Sequence, residues 1–144
     1  MTIHKDCRIR IPARKIKKLF EAIADDEADP SWSSYINLVF TDNRRIRRLN
    51  RQFRSIDKAT DVLSFNVDPG DEPGGMFGEV YISSEFARKQ ASEYGAGLFE
   101  EILRLTCHGI LHLFGYDHIR PSEASVMFAR QDDYLNKLAS AANG

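Results

Sequence analysis

The chain has 144 residues, 42% apolar and 28% charged. These values are typical of a soluble globular protein, and we expect one domain over residues 1–144. The net charge is −1, so bulk charge does not indicate a polyanionic partner. No stretch approaches the roughly 20 apolar residues of a membrane span, and the first residues lack the apolar core of a signal peptide. We therefore expect a cytoplasmic protein without a membrane anchor. Cys7 and Cys107 form no CxxC pair, and we expect two thiols that behave as small apolar residues.

The first third of the chain is predicted to form a strand, a helix and a second strand. Apolar and polar residues alternate over residues 3–11, which is a strand pattern. Pro12 can be the first residue of the following helix. That helix carries apolar residues at helical spacing, namely Ile16, Leu19, Phe20 and Ile23. A loop around Trp32 then precedes residues 35–40 (YINLVF), which are rich in strand formers.

The middle of the chain continues with a helix and two strands. Thr41 or Asp42 can cap this second helix, and its apolar stripe is predicted to consist of Ile46, Leu49 and Phe53. Residues 62–65 mark a short third strand, and residues 77–82 mark a fourth. The segment between them, residues 66–76, is rich in proline and glycine and is predicted to be a loop.

The last third of the chain is predicted to be helical. Ser83 or Ser84 can cap a helix that runs to Tyr94, where Gly95 ends it. A strongly apolar helix follows over residues 98–114, and a last helix runs from Pro121 to about residue 139. Four short strands and five helices, without a repeat or a dividing linker, predict a small α+β domain.

Three of the four histidines lie within one segment, residues 107–118 (CHGILHLFGYDH). His108 and His112 are four residues apart and therefore project from the same face of a helix. Gly115 can end that helix in the left-handed conformation, which lets the chain bring His118 back to the same place. Three imidazoles leave the fourth position of a tetrahedral ion open, the arrangement of a catalytic rather than a structural zinc site. The spacing therefore predicts one metal ion, and we expect zinc.

This spacing also resembles the metzincin pattern HExxHxxGxxH, in which a glutamate follows the first histidine and serves as general base. Here that position is Gly109, and no carboxylate on the helix replaces it. Peptide hydrolysis by the usual zincin route is therefore not expected, although a zinc peptidase stays an alternative.

Several blocks of the sequence resemble the YbeY family of bacterial endoribonucleases. Residues 108–118 closely resemble the signature HGxLHLxGYDH, and residues 49–54 (LNRQFR) are similar to LNxxYR. Residues 60–65 (TDVLSF) and 78–83 (GEVYIS) look like TDVLSF and GDIxIS, and all four blocks come in the family's order. The departures are small, with Glu79 where the family has aspartate and Ala59 where it prefers proline.

The resemblance implies a small mixed sheet packed with helices, with a zincin-like metal helix at one end of a groove. It implies a single-strand-selective, metal-dependent endoribonuclease in ribosomal RNA maturation, at the 3′ end of small-subunit rRNA, and in ribosome quality control. The ribosome or small-subunit proteins are the implied partners. The family's ligands for one Zn²⁺ correspond to His108, His112 and His118, and its functional arginine corresponds to Arg54. In this hypothesis zinc activates water or polarises the scissile phosphate, and Arg54 stabilises the transition state. The alternatives are a zinc peptidase and a non-catalytic ribosome assembly factor that zinc stabilises.

Three further features each have two interpretations. Arg44, Arg47, Arg48 and Arg51 form one basic helix face, which is either a solvated surface or a track for RNA phosphates. Phe65 is either a core residue or a platform for an unpaired base. Asp117 either orients a ligand histidine or caps the turn.

Overall fold

The computed structural model describes residues 1–29, 35–68 and 76–143, with the side chains of residues 1–29, 35–68 and 76–140. The loop predicted around Trp32 and most of the loop predicted over residues 66–76 lie outside these ranges. The elements in chain order are β1 (Thr2–Lys5), α1 (Ala13–Glu27), β2 (Tyr35–Thr41), α2 (Asn43–Arg54), β3 (Val62–Asn66), β4 (Met76–Ser83), α3 (Ser84–Tyr94), α4 (Leu98–Leu113) and α5 (Pro121–Asn143). The described residues thus confirm the predicted α+β fold with four strands and five helices.

The four strands form one mixed sheet in the order β1-β2-β4-β3. Strand β2 runs parallel to both β1 and β4, whereas β3 pairs antiparallel with β4. The β3–β4 register places Ser64 opposite Val80 and Asn66 opposite Gly78. Strand β3 is therefore an edge strand, and its side chains are free to meet a helix that lies against the sheet.

Helix α4 is the central helix of the core and contacts α1, α3, α5 and the two strands β3 and β4. Most of its residues are buried, among them Ile102, Leu105, Cys107 and Ile110. Burial raises the pKa of the Cys107 thiol to about 12, so this cysteine is a neutral apolar side chain, as the sequence predicts. One face of α4 lies against α5 and borders a cleft that α5 also lines. Polar residues on this face of α4 therefore lie beside both.

Three predictions about the elements need correction. Strand β1 ends at Lys5 instead of residue 11, because residues 6–12 leave the sheet and lead into α1. Pro12 is the N-cap of α1 and not its first helical residue. Phe53 is 61% exposed and does not complete the buried stripe, because it lies at the edge of the sheet, where its ring contacts that of Phe65 on the edge strand β3. None of the described helices is both long enough and apolar enough to cross a membrane.

Candidate metal centre

The last turn of α4 and the bend after it bring the three histidines together. His108 and His112 share one face of α4, as the four-residue spacing predicts. The helix ends at Leu113 with Phe114 as its C-cap, and Gly115 follows with a φ of 97°. In this turn the Gly115 amide donates to the carbonyl of His112 and the Tyr116 amide donates to that of Leu111, both at 3.1 Å. The chain therefore reverses direction just after the helix and returns with His118.

The distances between the ring nitrogens fit a single tetrahedral ion. His108 Nε2 lies 3.2 Å from His112 Nε2, and His118 Nδ1 lies 3.1 Å from the same His112 atom. A zinc–nitrogen bond of 2.0–2.1 Å requires about 3.3 Å between two tetrahedral ligands. His112 Nε2 carries at most one hydrogen and cannot donate to both neighbours, whereas one shared cation would engage all three lone pairs. In the described part of the chain, this is the group of three side chains whose ligand atoms converge within 4.8 Å.

Gln131, on α5, sets the orientation of the His108 ring. Its Oε1 lies 3.1 Å from His108 Nδ1, and an amide oxygen only accepts hydrogen bonds, so Nδ1 carries the hydrogen. The lone pair of His108 is then on Nε2, the atom that faces His112. Gln131 is only 4% exposed. Burial, followed by the neighbouring His112, lowers the pKa of His108 to about 4, which keeps the ring neutral and ready to bind a metal.

Tyr116 links the loop that carries His118 to α1, and the same carboxylate of α1 also binds a residue of α5. The Tyr116 hydroxyl lies 2.9 and 3.0 Å from the two carboxylate oxygens of Glu27 at the end of α1. The Tyr134 hydroxyl of α5 donates to the same carboxylate at 2.9 Å. Burial, then the hydrogen bond to Glu27, raises the pKa of Tyr116, so the hydroxyl stays a donor. Asp117 accepts from the amide of His118 at 2.7 Å, which supports its interpretation as a cap of the turn.

The position of the zincin glutamate is filled by Gly109 because α4 lies directly on the sheet there. A Cβ atom at this residue would approach Val80 Cγ1 to 2.5 Å, Val62 Cγ2 to 3.1 Å and Ser64 Oγ to 3.2 Å. Ser64 also donates to the Gly109 carbonyl at 2.8 Å. A glutamate side chain has no space at this position, so the site lacks the general base of the zinc peptidases for a steric reason.

Arg54 lies on the wall of the same cleft as the three histidines. The cleft has a volume of about 670 Å³ and is also lined by β3 and α5. The guanidinium donates to the Ser64 carbonyl at 2.8 Å and lies 5.4 Å from the centre of the Phe65 ring. Burial and then His118 are the main causes that lower the pKa of His112, and Arg54 acts in the same direction. The cleft thus combines three histidines that could hold a metal ion with a fixed positive charge.

Phe65 is half-buried and belongs to an aromatic cluster. Its ring centre lies 5.5 Å from that of Phe53 and 6.0 Å from that of Tyr81. Because Arg54 also lies over the ring, these contacts favour the structural interpretation of Phe65 over a free stacking platform.

Sequence reasoning did not single out Gln131 or Phe128, which both contact His108 from α5. Their contact with His108 was not predicted, because a glutamine in an amphipathic helix is usually on the surface and a phenylalanine is usually in the core. The pattern that could have found Gln131 is its helical spacing from Met127 and Tyr134, because all three residues lie on the buried face of α5. A glutamine in register with two core residues indicates a polar partner inside the fold.

Comparison with known proteins agrees with this geometry. A family model described as Endoribonuclease YbeY matches residues 2–139. A relative of that name from Persephonella marina is 43% identical over 128 residues, which cover 87% of this chain and 80% of the relative. Another of that name from Sulfurihydrogenibium is 49% identical over 108 residues, which cover 72% of this chain and 69% of the relative. The solution structure of a Thermotoga maritima protein matches with a TM-score of 0.65 at 27% identity, over 99% of this chain and 91% of that chain. The chain therefore belongs to the YbeY endoribonuclease family.

Proposed function

We propose that this protein is a metal-dependent endoribonuclease that cleaves single-stranded RNA. The observation that carries the proposal is the convergence of three imidazole nitrogens in a cleft that also contains Arg54. Both elements suit cleavage of a phosphodiester group, because a cation or fixed donors stabilise the charge that develops on its oxygens. Membership of the family, whose relatives carry the name endoribonuclease, supports RNA as the substrate.

His108, His112 and His118 would hold one zinc ion. When bound, the ion would supply Lewis acidity and lower the pKa of water to about 7. The protein's own residues have separate tasks in this scheme. Gln131 keeps the His108 lone pair directed into the cleft. Arg54 binds phosphate oxygens with its planar fork and stabilises the charge that they gain in the transition state.

The basic face of α2 would guide the strand toward the cleft. Arg44, Arg48 and Arg51 are exposed on this face. Arg47 is engaged differently, because its guanidinium pairs with Asp57 at 2.9 and 3.2 Å. We therefore assign the phosphate track to the first three arginines, whose contacts with RNA would be independent of sequence and sensitive to salt.

The biological substrate would be ribosomal RNA. The assignment to maturation of the small-subunit rRNA 3′ end, to ribosome quality control, to ribosomal or small-subunit protein partners and to the cytoplasm rests on the family. His118 is exposed, so the cleft is open to solvent at this ligand and accessible to an RNA strand.

The test compares Arg54→Ala with Arg47→Ala in the zinc-loaded protein, using an end-labelled single-stranded oligoribonucleotide. We expect Arg54→Ala to lower the cleavage rate by about 10²–10³-fold, as for loss of one transition-state donor, with metal content unchanged. Arg47→Ala, which removes an arginine that pairs with Asp57 and lies outside both the cleft and the phosphate track, should keep most of the rate.

Full activity of Arg54→Ala would remove this residue from the mechanism. If the wild-type protein cleaves no RNA and unfolds when its metal is removed, the protein is a zinc-stabilised assembly factor instead. Cleavage of unstructured protein but not of RNA would identify a zinc peptidase.

A further inference from the structure

The rim of the metal cleft carries three large apolar side chains that are exposed to solvent. Ile56 lies just after α2, whereas Ile119 and Phe128 lie on the opposite wall, and all three line the cleft. Ile119 is 82% exposed and Phe128 is 44% exposed. We call these three residues the apolar rim. Exposed apolar groups beside a polar site are a common mark of ligand binding.

Phe128 is the planar member of the rim and is fixed beside a metal ligand. Its ring is nearly parallel to that of His108, with an interplanar angle of 23° and 6.2 Å between the ring centres. One turn further along α5, Gln131 holds the same imidazole. The position of Phe128 relative to the three histidines is therefore set by α5, and part of its surface still faces solvent.

We propose that the apolar rim, with Phe128 as its platform, binds an unpaired nucleobase next to the phosphate that is cleaved. The charges of the cleft indicate the occupant. Arg54 and the exposed arginines of α2 favour an anionic chain, whereas the rim favours a flat apolar group attached to it. A single-stranded RNA offers both in every nucleotide, because phosphates alternate with bases that stack on aromatic side chains.

This subsite would give the enzyme its preference for single strands. In a duplex, each base is stacked between its neighbours and paired along its edge, so it cannot reach Phe128 unless the helix opens. An unpaired base meets no such barrier. The inference rests on the proposed ribonuclease function and adds to it the group that distinguishes single-stranded from double-stranded RNA.

The test combines substitutions in the protein with changes in the RNA substrate and asks whether their effects on kcat/KM are additive. Phe128→Leu removes the ring but keeps an apolar side chain, and Phe128→Tyr keeps the ring. Phe99→Leu is the matched control, because Phe99 is 43% exposed and does not line the cleft. The substrates are a single-stranded oligoribonucleotide, the same strand in a duplex, and a series of strands that each lack one base near the cleavage position.

We expect Phe128→Leu to lower kcat/KM on the intact single strand by about tenfold, the effect of losing one base-stacking contact. The loss should be much smaller on the strand that lacks the stacked base, and the preference for single strands over duplex should decrease. Phe128→Tyr and Phe99→Leu should behave like the wild type.

An equal loss on intact and base-lacking strands would overturn the inference, because Phe128 would then act only through His108. An unchanged kcat/KM for Phe128→Leu in a protein whose wild type cleaves RNA would also overturn it and leave the proposed function intact. A wild type that cleaves no RNA would instead refute the proposed function, and the inference with it.

Discussion

Replacing Gly109 with alanine tests how closely α4 approaches the sheet. The new methyl group would lie 2.5 Å from Val80 Cγ1, well below the 3.5–4.0 Å of a normal carbon–carbon contact. Val80 is completely buried in the central part of β4. As a β-branched residue it has few rotamers to which it can move, so the contact must be relieved by a shift of the helix or the strand.

Two opposing effects determine how much Gly109→Ala changes the free energy of unfolding. Overpacking of a well-packed core costs about 1–3 kcal/mol, and the short contact places this site toward the upper end. Alanine is more favourable than glycine inside a helix by about 1 kcal/mol. We therefore expect Gly109→Ala to lower the free energy of unfolding by about 1–2 kcal/mol. Urea unfolding of the metal-free protein measures this, since metal binding would otherwise add its own stabilisation.

A second variant identifies the clashing atom. Val80→Ala removes Cγ1 and leaves a cavity that the methyl group introduced by Gly109→Ala can partly fill. The double variant should therefore be more stable than the sum of the two single changes predicts, by about 1 kcal/mol or more. If Gly109→Ala stabilises the protein by about 1 kcal/mol, helix propensity alone decides the outcome. The steric reason for the missing glutamate would then be wrong.

Three further predictions concern pH, the third ligand and RNA binding. In the metal-free protein the pKa of His108 is about 4 instead of 6.5, so the unfolded chain binds the proton more tightly. This difference lowers the free energy of unfolding by up to about 3 kcal/mol between pH 6.5 and pH 4. His108→Asn should remove this part of the decrease and leave the part that comes from His112, whose pKa is also lowered. Tyr116→Phe removes the contact with Glu27 and should weaken zinc binding about tenfold in a chelator competition. An unchanged affinity would show that this contact does not position His118. Reversing the charge of Arg44 and Arg48 should weaken RNA binding and reduce the slope of log K against log salt by about 1.4. An unchanged slope would exclude these arginines from the phosphate track.

The helical part of the fold and the convergence of the three histidines were predictable because they depend on local spacing. The four-residue interval between His108 and His112 fixes their common face wherever the helix lies. Gly115 marks the end of the helix within a residue or two. The order of the strands in the sheet was not predictable in this way, since periodicity does not reveal which strands are neighbours.

The groups that support the site were not predictable, because they come from distant parts of the chain. Glu27 is 89 residues from Tyr116, and Gln131 is 23 residues from His108. Nothing in the local sequence distinguishes Glu27 from a surface residue, and Gln131 is marked by its helical register with the buried Met127 and Tyr134. Phe53 shows the opposite error, since it follows the helical period but lies at the edge of the sheet, beside Phe65 of the edge strand β3, and stays 61% exposed. Periodicity identifies the face of a helix but not how far the protein extends beneath it.

The measurement that tests the account most directly is the zinc content after equilibrium dialysis. It compares the wild-type protein with His112→Ala and with the control His4→Ala, whose histidine is exposed on β1. We expect one zinc ion per chain in the wild type and in His4→Ala, and loss of that ion in His112→Ala. A wild-type protein that binds no zinc, or a His112→Ala protein that still holds one tightly, would contradict a centre built from the three histidines.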